Sequence, residues 1–344
     1  MIGISSYFQD LSYEYLKKCS ELGARYVFTS LQIPEEDYSN IDKQLPNFIE
    51  MCFKLNLSLI PDVSPNTFDK LGLKNNDFGK LKEIGFKHIR LDYGFDDVNY
   101  IKNLTKDFTV MLNASVVDEQ SIKKLIAAEV DLKKIIMTHN FYPKRFTGLS
   151  SETLKQKNET FKKYGLVIQA FVPGNKVRRF PLYEGLPTLE EHRDKSSYIS
   201  AIDLLHNYHV DDIFIGDSQA NVEEIRYIYE YQNKKKMHIS VYLDDKYKYL
   251  MEKEYTVRKD HSKYNLRLVS PRLENIEVKN NISRCKGAIT IDNKLMGRYC
   301  GEIQICLEDL PADARVNVIG FVSPYYLDLL KNIDNDTNIQ FITL

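Results

Sequence analysis

The first 235 residues alternate short apolar segments with amphipathic helical segments, and this alternation restricts the folds that the chain can adopt. Each apolar segment has the length and composition of a strand that is buried on both faces of a parallel sheet. Eight such strands are predicted, at Ile2–Tyr7, Tyr26–Leu31, Leu57–Val63, His88–Tyr93, Phe108–Asn113, Lys134–His139, Leu166–Val172 and Asp212–Gly216. Eight strands alternating with helices over this length are typical of a (β/α)8, or TIM, barrel. We therefore predict an α/β fold with a catalytic barrel at residues 1–235.

An open doubly wound sheet is the main alternative to the barrel. Such a sheet usually carries a glycine-rich phosphate turn after its first strand. The corresponding segment, Ser5-Ser6-Tyr7-Phe8, contains no GxGxxG motif, which favours the barrel. Further along, Thr188-Leu189-Glu190-Glu191 matches a capping box and predicts that a helix begins near Leu189.

The pattern changes after residue 235, where strands follow one another without long helices between them. Five strands are predicted there, at His238–Leu243, Asn265–Val269, Ala288–Ile291, Glu302–Leu307 and Val316–Val322. This pattern indicates a second, small β-rich domain at residues 236–344 in the form of a compact barrel.

The composition excludes several classes of protein. The chain has 47 Lys and Arg against 48 Asp and Glu, so it lacks the basic excess of a nucleic-acid-binding protein. It contains no apolar run near the roughly 20 residues that span a bilayer, and its N-terminus does not resemble a signal peptide. The five cysteines form no CxxC pair. We expect a cytoplasmic enzyme with neither nucleic acid nor membrane as a partner.

Polar side chains collect where the predicted barrel strands end, which is where barrel enzymes carry their active sites. The strand-end residues in chain order are Glu35, Asp62, Asp92, Tyr93, Asn113, His139, Asn140 and Asp217. A single acid at such a position could instead cap the next helix, and this alternative is strongest for Asp217. The histidines show no HxH or HExxH spacing, so we expect no metal and no cofactor.

The connection after the seventh strand is unusually long and basic. It contains Gly174, Lys176, Arg178 and Arg179, and it leads to the predicted helix start near Leu189. Barrels often bind phosphate in the loops after strands seven and eight with the help of a helix N-terminus. A solvated basic loop is the simpler alternative. The loop therefore favours a small phosphorylated substrate without establishing one.

Several longer segments resemble one bacterial family, the 6-phospho-N-acetylmuramidases. In the barrel these segments are Phe28–Glu35, Arg90–Gly94, Leu112–Ser115, His139–Pro143, Phe171–Gly174, Gly185–Glu190 with His192-Arg193, and Ile215–Asp217. In the second domain they are Ile289–Asn293, Gly297–Glu302 and Asp309–Asp313. The chain departs from the family pattern in its doubled Arg178-Arg179 and in Ser218, where the family often has proline.

The resemblance implies a (β/α)8 barrel followed by a cyclophilin-like β-barrel. It also implies cytoplasmic hydrolysis of the β-1,4 bond between N-acetylmuramic acid 6-phosphate and N-acetylglucosamine, during recycling of peptidoglycan from the cell wall. The expected partner is this phosphorylated amino-sugar disaccharide, and a homodimer is left open. The alternatives are a metal-assisted phosphosugar isomerase or aldolase, and a sugar-phosphate-binding protein without activity.

Glycoside cleavage usually needs two carboxyl groups with different pKa values. Our hypothesis makes Asp92 and Asp217 the leading catalytic pair, with Asp62 next. A second path, in which the acetamide of the substrate attacks, is left open. The expected substrate-binding residues are Glu35, Tyr93, Asn113, His139, Asn140 and Arg298, and the expected phosphate-binding residues are Gly174, Lys176, Arg178 and Arg179. For Arg298, a strand-edge ion pair is the alternative.

Overall fold

The computed structural model describes residues 1–33, 36–74, 76–260 and 262–343. The chain divides into two compact units, Met1–Tyr229 and Glu230–Leu344. Each unit is built on its own sheet.

The first unit is a closed barrel of eight parallel strands, as predicted. The strands are β1 (Ile2–Ser5), β2 (Ala24–Ser30), β3 (Ser58–Val63), β4 (His88–Leu91), β5 (Thr109–Asn113), β6 (Ile135–Thr138), β7 (Val167–Val172) and β8 (Asp212–Ile215). Neighbours in the chain are neighbours in the sheet, and β1 closes the barrel by pairing with β8, with Ile2 opposite Ile213.

Helices connect the barrel strands. They are α1 (Tyr13–Glu21), α2 (Ile41–Lys54), α3 (Pro65–Lys70), α4 (Phe78–Ile84), α5 (Val98–Leu104), α6 (Glu119–Ala127), α7 (Ser151–Lys163), α8 (Ser197–Asn207) and α9 (Val222–Lys234). Several begin at a side-chain cap, as at Ser150, whose hydroxyl accepts a hydrogen bond from Thr153 N–H. No helix among the described residues is both long and apolar enough to cross a membrane.

The interior of the barrel is filled by large apolar side chains. Every other residue of a strand points inward, and these positions supply Phe28, Ile60, Met111, Ile136, Phe171 and Phe214. The aromatic rings pack edge to face, with 5.2 Å between the centroids of Phe28 and Phe171. The barrel is therefore a packed core, and polar side chains are free to collect only at its ends.

The helix predicted to begin near Leu189 is absent, so the capping-box interpretation of Thr188 was wrong. A single 3-10 turn, Glu190–His192, lies there instead. The Thr188 hydroxyl accepts from Phe171 N–H at 2.9 Å and donates to the Asn140 carbonyl at 2.8 Å. Its partners thus lie in β7 and the loop after β6, and this position offers no helix N-terminus for a phosphate.

The second unit is the expected small β-rich domain. Its strands are β9 (Lys236–Leu243), β10 (Glu254–Thr256), β11 (Asn265–Arg267), β12 (Ala288–Asp292), β13 (Ile303–Cys306), β14 (Val316–Val322) and β15 (Asn338–Ile342). They form one mixed sheet in the order β10-β15-β9-β14-β12-β13-β11. The sheet curls into a half-barrel, and a bridge between Val257 and Leu268 joins the ends of its two edge strands. The sequence predicted five of these strands and missed β10 and β15.

Candidate active site

The carboxyl ends of β3 and β4 carry two aspartates that share one hydrogen-bond donor. Gln32, which follows β2, donates from Nε2 to Asp62 Oδ2 at 2.9 Å and to Asp92 Oδ2 at 3.0 Å. Arg90 donates from Nη1 to Asp62 Oδ1, and the same nitrogen lies 3.6 Å from Asp92 Oδ1. The two carboxylates are therefore held side by side at the C-terminal face of the barrel.

The two aspartates differ in exposure. Asp62 is buried, whereas the Asp92 side chain is 29% exposed. Burial raises the pKa of Asp62, and the neighbouring Asp92 carboxylate raises it further. The charge of Arg90 lowers this pKa but does not cancel the effect of burial. The pair thus has the asymmetry in environment that acid–base catalysis by two carboxyl groups requires.

Asn140 fixes the orientation of Arg90. Arg90 Nη2 donates to Asn140 Oδ1, while Asn140 N–H donates to Ser115 Oγ at 2.9 Å. Because the Asn140 side chain holds the guanidinium against Asp62, it takes part in the hydrogen-bond network of the acid pair. Its predicted role in binding substrate stays a prediction.

A cavity of about 330 Å³ lies beside Asp92, between α5 and α6. Tyr93 and Asn113 line it together with apolar side chains, among them Leu91, Ile101, Leu112 and Leu125. The Tyr93 hydroxyl accepts a hydrogen bond from Asn66 Nδ2 at 2.9 Å, and its side chain is exposed. The structure therefore brings three predicted site residues to one cavity.

Arg179 places a buried cation among aromatic rings at the same face. Its guanidinium carbon lies 4.8 Å from the centroid of Tyr7 and 5.6 Å from the centroids of Phe141 and Phe180. The residue is only 7% exposed, and its Nε has no hydrogen-bond partner among the described atoms. Nor does any described carboxylate form a salt bridge with it. A desolvated cation that has no counter-ion within salt-bridge distance is costly, so this position suits an anionic ligand.

Glu36, next to the predicted Glu35, is buried near this cation. Its carboxylate accepts weakly from Gln9 N–H at 3.4 Å and from the Tyr38 hydroxyl at 3.5 Å. Burial raises the pKa of Glu36, and the charge of Arg179 opposes the shift. Glu35 itself lies outside the described residues.

Asp217 joins the loops at the ends of β7 and β8. Its Oδ1 accepts from Arg179 N–H at 2.9 Å, and its Oδ2 accepts from Gly174 N–H at 2.8 Å and Leu186 N–H at 3.0 Å. A Cβ on Gly174 would lie 2.6 Å from the Gln219 carbonyl oxygen, so only glycine fits there. Asp217 therefore positions the backbone that carries Arg179, and no described hydrogen bond links it to Asp92.

The other two basic residues of this loop have different surroundings. Arg178 is half-buried, with Nη2 3.7 Å from Asp194 Oδ1 and Nη1 3.4 Å from the Tyr183 carbonyl oxygen. The Lys176 side chain is exposed, and the backbone N–H of Lys176 donates to the Gln219 carbonyl. Of the two consecutive arginines, Arg179 is the one enclosed by rings and left without an ion pair within the described chain.

His139 does not face the site, which corrects the prediction that it binds substrate. Its Nε2 bonds to Asn158 Oδ1 at 2.7 Å, and its ring packs against Phe161, both on α7. Burial lowers the pKa of His139 to about 4, so the ring is neutral at pH 7. Because successive residues of an extended strand point to opposite sides, Asn140 faces inward where His139 faces the helices.

Arg298 belongs to the second unit. It donates from Nη2 to the hydroxyl of Tyr299 at 2.8 Å and stacks on that ring. The ion pair of this region is made instead by Glu302 with Arg267 and Arg272. The suggested ion pair of Arg298 itself was therefore wrong within the described residues, and its binding of substrate stays a prediction.

Sequence reasoning missed Gln32, Arg90 and Tyr7. Arg90 gave a signal, since an arginine inside an apolar strand needs a buried partner. Gln32 and Tyr7 gave none, because their roles depend on distances between separate loops. Among the described residues, no group of three or more His, Cys, Asp or Glu side chains is arranged to hold a metal ion.

A parallel eight-stranded barrel whose strand ends hold two carboxylates together defines a TIM-barrel protein with a candidate acid–base pair. The family follows from sequence comparison. The model of the N-terminal part of 6-phospho-N-acetylmuramidases matches residues 2–230, and that of the C-terminal part matches residues 236–342. The chain belongs to the 6-phospho-N-acetylmuramidase family, as its sequence motifs suggested.

Two solved structures are similar over nearly the whole chain. A conserved protein of unknown function from Enterococcus faecalis is 28% identical, with a TM-score of 0.87 and coverage of 100% of this chain and 96% of that one. An uncharacterized protein from B. cereus is 25% identical, with a TM-score of 0.80 and coverage of 99% of both chains. No functionally curated protein matches the chain.

Proposed function

We propose that this protein hydrolyses the β-1,4 bond between N-acetylmuramic acid 6-phosphate and N-acetylglucosamine, in the cytoplasmic recycling of peptidoglycan. The observation that carries the proposal is the linked acid pair, Asp62 and Asp92, in a barrel of this family. In this proposal Asp217 is a positioning residue, which departs from the pairing with Asp92 that the sequence suggested.

The spacing of the acid pair favours a stereochemical outcome. The two Oδ2 atoms accept from one nitrogen at 2.9 and 3.0 Å, so they lie no further apart than the sum of these distances. Retaining glycosidases hold their carboxyl groups roughly 5–5.5 Å apart, and inverting ones roughly 6.5–9.5 Å. We therefore expect a product that retains the β configuration. Attack by a carboxylate and attack by the substrate's acetamide both give this outcome.

The phosphate of the substrate is assigned to Arg179. A guanidinium can hold a phosphate through two parallel hydrogen bonds, and here the aromatic rings around it exclude water. Arg179 follows β7, whereas the acid pair lies at the carboxyl ends of β3 and β4. A sugar bound between them would have its phosphate at one side of the barrel opening and its anomeric carbon at the other.

The test is incubation of the protein with the phosphorylated and the unphosphorylated disaccharide, followed by mass analysis. We expect cleavage of the phosphorylated form alone, with the β-anomer detected first by NMR. Failure to cleave either disaccharide would contradict the proposed function. Equal cleavage of both would contradict the role of Arg179 but not the glycosidase.

The consecutive arginines provide a matched pair of variants. We expect Arg179→Ala to lower kcat/KM for the phosphorylated disaccharide by roughly 10- to 150-fold, because it removes charged hydrogen bonds worth about 1.5–3 kcal/mol. Arg178→Ala removes the same charge from a half-buried side chain that already faces Asp194, so its kcat/KM should change less than about threefold. Equal losses in both variants would favour the solvated basic loop.

A further inference from the structure

Two loops at the C-terminal face of the barrel present large apolar side chains to solvent. Phe146, in the loop between β6 and α7, is 86% exposed. Leu182 and Tyr183, in the loop between β7 and α8, are 48% and 60% exposed. Neither aromatic ring stacks on another ring or on a cation of the described chain. Exposed apolar side chains grouped on one face mark a binding surface more often than isolated ones do.

The backbone at both aromatic residues adopts a costly conformation. Phe146 has φ +66° and Tyr183 has φ +55°, in the left-handed region that non-glycine residues seldom adopt. A residue in such a conformation persists only where its surroundings enforce it. Here the surroundings hold two aromatic residues outward although their rings gain no packing.

An ion pair made by the buried Arg193 enforces this arrangement. Arg193, 2% exposed, donates from Nε and Nη2 to the Glu190 carboxylate at 2.6 Å. Glu190 in turn accepts from Phe146 N–H at 2.9 Å and from Gly148 N–H at 2.7 Å. The hydrogen bonds from Arg193 lower the pKa of Glu190 to about 2, although partial burial acts to raise it. The pair therefore stays ionised at neutral pH and fixes the first loop.

The same arginine also fixes the second loop. Arg193 Nη1 donates to the Gly185 carbonyl at 3.0 Å, and its Nη2 donates to the Lys144 carbonyl at 3.1 Å. Arg145 N–H donates to Glu184 Oε2 at 3.2 Å, so the residues next to Phe146 and Tyr183 are in contact. Phe146 and Tyr183 are thus presented from one rigid frame.

This frame adjoins the proposed phosphate anchor. Tyr183 N–H donates to the Arg179 carbonyl at 3.1 Å, so Tyr183 lies one turn beyond the arginine. On the other side, the first loop begins at Asn140, which holds Arg90 against Asp62. A sugar that reaches from Arg179 toward the acid pair would pass these two loops.

We propose that Phe146 and Tyr183 form an aromatic platform that stacks against the pyranose ring of the phosphorylated sugar. The inference rests on the proposed function and adds two specificity-determining residues to it. The electron-rich face of an aromatic ring attracts the partly positive C–H groups of a sugar face. Since hydrogen bonds already fix the backbone of the two loops that carry the rings, binding costs little ordering of these loops.

The test compares Phe146→Asn and Tyr183→Asn, since asparagine tolerates the left-handed region better than alanine does. The control is Phe53→Ala on α2, a phenylalanine of similar exposure, 83%. Steady-state kinetics are measured with the phosphorylated disaccharide and with a 4-nitrophenyl glycoside of N-acetylmuramic acid 6-phosphate. We expect each platform variant to raise KM about 3- to 10-fold for both substrates, with kcat within about twofold, as for loss of an aromatic contact. Phe53→Ala should match wild type.

Three results separate the possibilities. A conservative Phe146→Tyr variant should have the wild-type KM. If Phe146→Tyr and Phe146→Asn melt at the same temperature, a structural defect cannot explain the raised KM of Phe146→Asn. An unchanged KM in both Asn variants, or an increase for the disaccharide alone, would overturn the platform while the wild-type activity still supports the proposed function. If the wild type cleaves neither substrate, the proposed function itself fails.

Discussion

Asp62 and Asp92 both accept a hydrogen bond from Gln32 and both lie beside the Arg90 guanidinium, so a change in either carboxylate alters the other. We expect Asp62→Asn and Asp92→Asn each to lower kcat for the phosphorylated disaccharide by roughly 10²- to 10⁴-fold, the usual contribution of a positioned acid or base. The control is Asp96→Asn, since Asp96 is exposed and lines the same cavity as Asp92. Wild-type kcat in both catalytic variants would eliminate the pair.

A different residue-scale effect concerns His139, whose ring is buried against α7. Its pKa is about 4 in the folded protein and about 6.5 in the unfolded chain. Between these values the unfolded chain binds a proton that the folded protein excludes, so the free energy of unfolding falls as pH drops below about 6.5 and levels off below about 4.

We therefore expect the wild type to lose about 2–3 kcal/mol more than His139→Gln between pH 7 and pH 4.5. Urea denaturation at the two pH values measures this difference. His209→Asn serves as the control, because His209 is exposed and asparagine suits its positive φ of 54°. Parallel pH dependence of wild type and His139→Gln would show that the imidazole is not held neutral by burial.

At the scale of elements, the loop after β7 depends on close packing between Gly174 and the segment that follows β8. A Cβ at Gly174 would lie 2.6 Å from the Gln219 carbonyl oxygen and 2.7 Å from Asp217 Cβ. We expect Gly174→Ala to lower the free energy of unfolding by about 1–3 kcal/mol and, by moving Arg179, to raise KM for the phosphorylated disaccharide.

Gly79→Ala is the matched control for this substitution. Gly79 lies in the first turn of α4, where an added Cβ meets only Asp77 Oδ1, at 3.3 Å. Alanine at this position should change the free energy of unfolding by less than about 1 kcal/mol and leave KM unchanged. Thermal unfolding and steady-state kinetics compare the two variants. Equal melting temperatures and equal KM values in Gly174→Ala and Gly79→Ala would show that the tight packing at Gly174 is dispensable.

The barrel could be predicted from the sequence because each strand is an apolar run bounded by polar residues. All eight predicted strands lie within two residues of the observed ones at each end. The missed strands gave weaker signals: β10 has three residues, and β15 alternates polar and apolar side chains next to the chain end. Their pairing with distant strands, rather than local pattern, makes them strands.

The site could be predicted only as a set of strand ends. The rule that barrel chemistry lies at the carboxyl ends of strands brought Asp62, Asp92 and Asp217 into view. It could not tell which of the three are neighbours, since that depends on the long Gln32 side chain that spans two strand ends. It also included His139, because it ignored the direction in which the side chain points.

At the scale of the whole molecule, the net charge conceals how charge is distributed. The formal net charge of -1 excluded a general attraction to polyanions, yet Arg179 is a buried cation with no ion pair among the described residues. Most other buried charges are compensated locally, as Arg193 is by Glu190 and Arg90 by Asp62. A local imbalance of charge, which depends on the fold, is therefore a better indicator of an anionic ligand than the net charge of the chain.

The proposed mechanism needs no metal, since arginine and carboxyl side chains supply the charges that the substrate and its transition state require. We expect dialysis against EDTA to leave kcat/KM for the phosphorylated disaccharide unchanged within about twofold. A metal-assisted phosphosugar isomerase or aldolase would behave in the opposite way, because it needs a divalent ion to polarise a carbonyl group. The control is the dialysed protein to which Mg²⁺ or Mn²⁺ is added back. Activity that EDTA abolishes and either ion restores would contradict the acid-pair mechanism, and it would make the metal-dependent alternative the better description of this barrel.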